Sequence, residues 1–237
     1  MLIFLDTETT GVELEDKICS LGFIAQEGEE IISMYELFNE GKKIPPQASA
    51  IHHITNEMIK DKNSFKESEL YKFLEKHNSD ETTIVAHNAA FDMQKLSLSG
   101  FVFKGSVVDT LRTTKHLIPE CELFSLQVLR YELRLYKQEK NAALKCGIKD
   151  ALVAHNALSD ALLVRELYKY LLDMATLDEM HSLSFKKVLL SKFGFGKYLG
   201  RFIEEIVNSD RAYCEWMLRL EDLDEDLRYS LEYYLQG

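Results

Sequence analysis

The chain has 237 residues, 46% hydrophobic and 28% charged, with three prolines. That length suits one large domain or one with a small appendage, and that composition excludes an intrinsically disordered protein. No run reaches the ~18 apolar residues of a bilayer span and no leader is visible, so a membrane protein is not expected. Cys19, Cys121, Cys146 and Cys214 are scattered without paired spacing, which argues against a zinc site and for free thiols in a reducing cytoplasm. The net charge of -11 opposes a phosphate-rich partner if taken alone, but it is unevenly distributed. Five basic residues and no acid lie between Ser182 and Arg201, whereas ten acids face three basic residues from Phe202 onward.

Leu2 to Gly11 reads as a central strand: four apolar residues, then Asp6, Thr7, Glu8, two threonines and a turn glycine. Alternation along a strand puts Asp6 and Glu8 on one side, about 6.5 Å apart along the backbone. Carboxylates that close resist burial unless a cation neutralises them, and hard oxygen ligands favour Mg²⁺ or Mn²⁺. The alternative is a strand end with two solvated acids.

Ile18 to Ala25 and Glu30 to Phe38 read as two further strands turning at Gly28, and Lys42 to Gln47 as a loop. Asn56 to Ile59 is a short helix, and Phe65 to Lys76 an amphipathic one. Thr82 to Ala86 is a short buried strand that runs into His87, Asn88 and a helical pattern through Leu98. A helix-start acid so placed sits beside the end of the neighbouring strand, which makes Asp92 a candidate third ligand. Ser106 to Leu111 is another strand-to-helix junction, where Asp109 either joins the acids or caps the helix, and capping is the commoner role.

Ser125 to Leu135 reads as a helix and Lys137 to Lys149 as a polar connection. His155 precedes a long helix through Leu172, with Asp160 one turn inside beside the small residues Ala157 and Ala161. A histidine on such a segment suits proton transfer, although a surface histidine has the same appearance. Asp173 to Leu183 reads as a helical linker. In the remainder, Phe193 to Arg201 has the glycines and aromatics of a tight β-ribbon, followed by helices over Ile203–Val207, Ala212–Leu220 and Leu223–Leu235. The expected organisation is a domain over residues 1–172, a linker over 173–183, and a small α+β module over 184–237.

Three segments resemble, in order, the motifs of the DEDDh 3′–5′ exonucleases, the superfamily that includes the proofreading subunit of bacterial replicative DNA polymerase. They are Leu5-Asp6-Thr7-Glu8-Thr9-Thr10-Gly11, His87-Asn88-Ala89-Ala90-Phe91-Asp92 and His155-Asn156-Ala157-Leu158-Ser159-Asp160-Ala161. Weaker marks are Ile51-His52-His53-Ile54-Thr55, similar to a family segment that usually has glycine where His53 stands, and Val108-Asp109-Thr110-Leu111. Phe195 to Gly200 is similar to a ribbon in the C-terminal module of exonuclease X-like proteins.

The resemblance implies an α/β, ribonuclease H-like fold with a mixed five-stranded sheet flanked by helices. It implies two divalent ions, Mg²⁺ or Mn²⁺, held by Asp6, Glu8, Asp92 and Asp160, with His155 as general base. The activity implied is hydrolysis of DNA from 3′ ends to nucleoside 5′-monophosphates, in proofreading, replication or repair, with a DNA polymerase or repair partner possible in trans. Thr9, Gly11, His52 and Asn88 are implied contacts to the terminal nucleotide. Lys192 and Lys197 are candidate phosphate contacts, with Phe193, Phe195 or Tyr198 stacking on bases or, equally, forming a mini-core. An RNA-trimming enzyme and a non-catalytic nucleic-acid-binding or polymerase-associated subunit remain as alternatives.

Overall fold

The computed structural model describes residues 1–149 and 152–236, and divides into two compact units, residues 1–113 with 123–184 and residues 114–122 with 185–237. The first unit is built on a five-stranded mixed sheet, β1 Leu2–Thr9, β2 Ile18–Glu27, β3 Glu30–Leu37, β4 Thr83–Ala86 and β5 Ser106–Asp109, in the order β3-β2-β1-β4-β5. β1 is central because its apolar run suits a strand with neighbours on both sides: β2 pairs with it antiparallel and β4 parallel. Ile3, Phe4 and Leu5 are fully buried.

Alternation along β1 assigns its side chains to two layers. Ile3 and Leu5 join a core with Phe65, Leu70 and Leu74 and with Ala89 and Leu96. These come from a 3-10 turn at Phe65–Glu67, from α3 (Glu69–Lys76) and from α4 (Ala89–Leu98); two short helices, α1 (Pro46–His52) and α2 (Asn56–Ile59), precede them. Phe4, on the other face, meets Tyr168 with ring centroids 5.4 Å apart. Tyr168 belongs to α8 (Ala157–Leu171), which follows α5 (Thr110–Leu117), α6 (Leu126–Glu132) and α7 (Glu139–Lys145). Almost every position of α8 from Ala157 to Tyr168 is buried.

The stretch expected as a polar connection contains α7. Its polar residues hide a buried side, because Ala142 and Ala143 pack inward and Glu139 is buried against Arg130. Residues 177–184 form α9, with Met180 fully buried and the His181 ring 2.9 Å from the Val107 carbonyl oxygen of β5.

The second unit differs from the expected α+β module. Among its described residues it has no named strand: one antiparallel bridge, Lys192 with Phe202, closes a loop around a 3-10 turn at Gly196–Tyr198. Gly196 and Gly200 both have positive φ, and the fold-back is short: Phe193 N–H donates to the Arg201 carbonyl at 3.0 Å, Gly200 N–H to the Phe193 carbonyl at 2.8 Å and Ile203 N–H to the Ser191 carbonyl at 2.9 Å. Phe193 sits in a mini-core with residues of α10 (Ile203–Ser209), α11 (Arg211–Met217) and α12 (Glu225–Gln236). None of the described helices is long and apolar enough to cross a membrane.

Candidate active site

β1 delivers Asp6 and Glu8, both half-buried, on the face that α8 covers. Thr7 points to the other layer, where its hydroxyl donates to Asp92 Oδ1 at 2.7 Å. One strand therefore carries two carboxylates and orients a third from the opposite side of the sheet. The register of β1 against β2 shifts between Glu8 and Thr9, a bulge that turns the strand out of the sheet. The Thr9 hydroxyl then donates to the Gly11 carbonyl at 2.7 Å. A Cβ on Gly11 would meet the Asp16 carboxylate at 2.4 Å, so a side chain there would displace Asp16 from its partners. Asp16 accepts from Thr10 Oγ1 and pairs with Lys42 at 2.7 Å, while the buried Lys95 ammonium donates to the carbonyls of Glu13 and Asp16.

Asp92 lies in the first turn of α4, where the helix dipole favours an anion. The start of α4 is anchored through Asp109. Its carboxylate accepts from the backbone N–H groups of Asn88 and Ala89, at 3.0 and 3.1 Å, and also from Leu111 and Arg112 in α5. Asp109 is thus the cap that its position suggested, serving two helix starts at once, and its oxygens are occupied. Asn88 is exposed, in left-handed backbone at φ 66°.

Gly22, which sequence reasoning did not single out, brings the final pieces together. It pairs with Asp6, and a Cβ at Gly22 would lie 2.2 to 2.5 Å from backbone atoms of Ala157 and Leu158. Only a missing side chain lets α8 approach β2 this closely, which places Asp160 on the Asp6 and Glu8 side. The one signal in the sequence was a lone glycine inside an apolar strand, a mark of close backbone approach. Asn156 caps α8, accepting from Ser159 N at 3.1 Å. Asp160 is held at both oxygens: Oδ2 accepts from His155 N at 2.9 Å, and Oδ1 from Gln127 Nε2 at 2.6 Å. His155 is exposed with φ 60°, and its ring offers a nitrogen that lies with one oxygen each of Glu8 and Asp160 inside a 4.8 Å cluster.

The electrostatics follow from that crowding. Burial, then Asp92, Asp160 and Glu8, push the Asp6 carboxyl well above the usual range. Glu8 is pushed up to about 8 by burial, Asp160 and Asp92. Asp92 rises to about 7 on burial, with the Thr7 hydrogen bond opposing, and Asp160 to about 6, with burial opposed by the His155 N–H, Arg130 and Gln127. Four carboxylates in this state cannot all ionise near neutral pH without a cation among them. The donor set, hard carboxylate oxygens with one imidazole at the rim, fits a divalent ion such as Mg²⁺ or Mn²⁺.

The other expected contacts fall in different places. His52 is buried at the end of α1, with Nδ1 accepting from Ile54 N at 3.1 Å and Nε2 3.9 Å from Cys19 Sγ; burial lowers its pKa. His53 follows at φ 61°, a left-handed position that glycine adopts without strain. In the second unit, Lys192 lies over the Phe202 ring at 5.0 Å, and Lys197 pairs with Asp210 at 3.0 Å. Phe193 is 1% exposed and unable to stack on a base, whereas Phe195 is 50% exposed.

Residues 3–168 match the family model described as "Exonuclease", and residues 193–222 match "Exodeoxyribonuclease X-like C-terminal". Exodeoxyribonuclease 10 of Escherichia coli (strain K12) is 28% identical over 241 residues, spanning 100% of both chains. DNA polymerase III subunit epsilon of Treponema pallidum (strain Nichols) is 33% identical over 172 residues, 69% of this chain and 72% of that one. Among solved structures, exonuclease X in complex with 5′ overhanging duplex DNA has a TM-score of 0.61 at 26% identity, covering 78% of this chain and 99% of that one. The chain belongs to the exonuclease family, as a 3′–5′ exonuclease that hydrolyses phosphodiester bonds.

Proposed function

We propose that this protein is a metal-dependent DNA exonuclease that removes nucleoside 5′-monophosphates stepwise from 3′ ends. The observation that carries this reading is the convergence of Asp6, Glu8, Asp92 and Asp160 from β1, α4 and α8, with the exposed His155 ring beside Glu8 and Asp160. DNA as substrate follows from the relatives, an exodeoxyribonuclease matched along its whole length and an exonuclease X structure described with duplex DNA.

Asp6, Glu8, Asp92 and Asp160 would hold two divalent ions, Mg²⁺ or Mn²⁺. When bound, these supply charge neutralisation at the scissile phosphate and acidification of the attacking water. His155, exposed and outside the sheet, takes the proton from that water at its imidazole nitrogen and passes it to solvent. Thr7 keeps Asp92 turned towards the strand acids, and the bulge after Glu8 brings the Thr9–Gly11 backbone to where a terminal nucleotide can meet it. Asn88, exposed at the start of α4, would help seat that nucleotide, and His52 would act through the Thr9 backbone that its ring meets.

The C-terminal module, proposed as residues 184–237, offers a further DNA contact through exposed Lys192 and Phe195. Lys197 contributes less, because Asp210 already pairs with it. Four buried cysteines without disulfides fit a cytoplasmic enzyme. The likeness to a polymerase III epsilon subunit supports a polymerase or repair partner.

The test is release of mononucleotides from 5′-labelled DNA and RNA strands with Mg²⁺, Mn²⁺ or chelator. Stepwise, metal-dependent shortening of DNA from the 3′ end is expected. Shortening that survives chelation, or that occurs on RNA alone, overturns the reading.

A further inference from the structure

Asp160 differs from the other three carboxylates in being gripped by a side chain from outside the recognised motifs. Gln127, on α6, donates Nε2 to Asp160 Oδ1 at 2.6 Å. An amide side chain can present either end, but here its direction is imposed. Arg130, one turn further along α6, donates Nη1 to Gln127 Oε1 at 3.3 Å. A guanidinium only donates, so the oxygen of Gln127 must face Arg130 and its nitrogen must face Asp160. Arg130 is fixed in turn by both oxygens of Glu139 on α7, through Nε and, at 2.6 Å, Nη2. The pair is substantially buried, with side-chain exposures of 17% and 10%, so solvent screens it little.

The consequence reaches His155. Asp160 Oδ2 accepts the His155 backbone N–H, and His155 is held at φ 60°, a left-handed conformation that is strained for a non-glycine residue. Rotation of the Asp160 carboxylate would release that N–H and the backbone that presents the imidazole. We propose that Gln127 is a positioning residue that locks Asp160, and through it the His155 backbone, and that the Arg130–Glu139 pair sets the direction of its amide. The inference rests on the metal-dependent reading of the carboxylate cluster.

Full-length Gln127→Met keeps the side-chain length and removes the donor. Mn²⁺ affinity, read by electron paramagnetic resonance without substrate, should weaken roughly 10- to 100-fold, and kcat on a labelled oligonucleotide should fall by a similar factor. KM and Tm should change little. Gln127→Glu, which only accepts and adds a like charge, should be worse than Gln127→Met, and it carries the same test should Gln127→Met not fold. Arg130→Met should cost a smaller factor in the wild-type background and nothing further beside Gln127→Met, since the two act as one unit. Folded Gln127 variants with wild-type Mn²⁺ affinity and kcat overturn the proposal, as does an Arg130→Met loss equal in both backgrounds. Wild-type protein that neither binds Mn²⁺ nor releases nucleotides overturns the metal-dependent reading itself.

Discussion

In the proposed mechanism, two regions bring chemistry to the same place by opposite means. β1 presents Asp6 and Glu8 from a strand that β4 pairs over Leu2–Phe4 and β2 pairs along its length, Asp6 and Glu8 included. His155 stands on a short segment before α8, exposed, at positive φ, and tied by its N–H to Asp160. Groups that share a cation need fixed spacing, and a central strand gives it. A group that moves a proton needs contact with water and only loose placement, so a loop suffices.

The contrast breaks most sharply on the strand side. Asp6→Asn should lower turnover by more than ~10³-fold and abolish high-affinity Mn²⁺ binding, measured by single-turnover kinetics and calorimetric titration. It should also raise the Tm of the metal-free protein, because a buried, repelled carboxyl is removed. A metal-free Tm that falls instead would show that Asp6 is stabilised by contacts other than these. On the loop side, His155→Ala should cost about 10²- to 10⁴-fold in kcat while leaving Mn²⁺ affinity within a small factor. Equal activity would remove His155 from the reaction.

A pH series sharpens the comparison without mutation. Asp6, Glu8, Asp92 and Asp160 all have folded pKa values above their unfolded ones of 3.8 to 4.5. Each therefore contributes stability that is full below the unfolded value and is lost as pH rises through the folded value. The metal-free Tm should fall by roughly 5–10 °C from about pH 5 towards pH 8.5, and saturating Mg²⁺ should flatten that decline. A metal-free Tm independent of pH over that range would contradict the crowding. The smallest effect is expected at His53, where His53→Gly relieves left-handed strain at a helix end and should stabilise by about 0.5–1 kcal/mol in urea unfolding. Destabilisation would show that the His53 side chain makes a contact worth more than the strain.

Much of the fold was legible because it is local. The apolar run of β1, the alternation of its acids, and the strand-to-helix steps at Ala86–Ala89 and Asp109–Thr110 are patterns of a few residues with a fixed period. α7 was not legible: its inward side consists of two alanines and a glutamate, and only Arg130 across the packing explains burying that glutamate. The ribbon expected at Phe193 to Arg201 is present only as one bridge and a few cross-strand hydrogen bonds, since glycine and aromatic composition does not say how far the pairing extends.

The sequence by itself determined which groups are proposed to carry the chemistry: Asp6, Glu8, Asp92, His155 and Asp160, set in three short segments whose spacing local backbone geometry can interpret. Tertiary structure alone decided how they meet. The missing side chain of Gly22 admits α8 against β2, Thr7 reaches through to Asp92, and Gln127, directed by Arg130 and Glu139, grips Asp160. These are contacts between residues tens of positions apart, and a side chain's hydrogen-bonding partner depends on packing that no local period encodes.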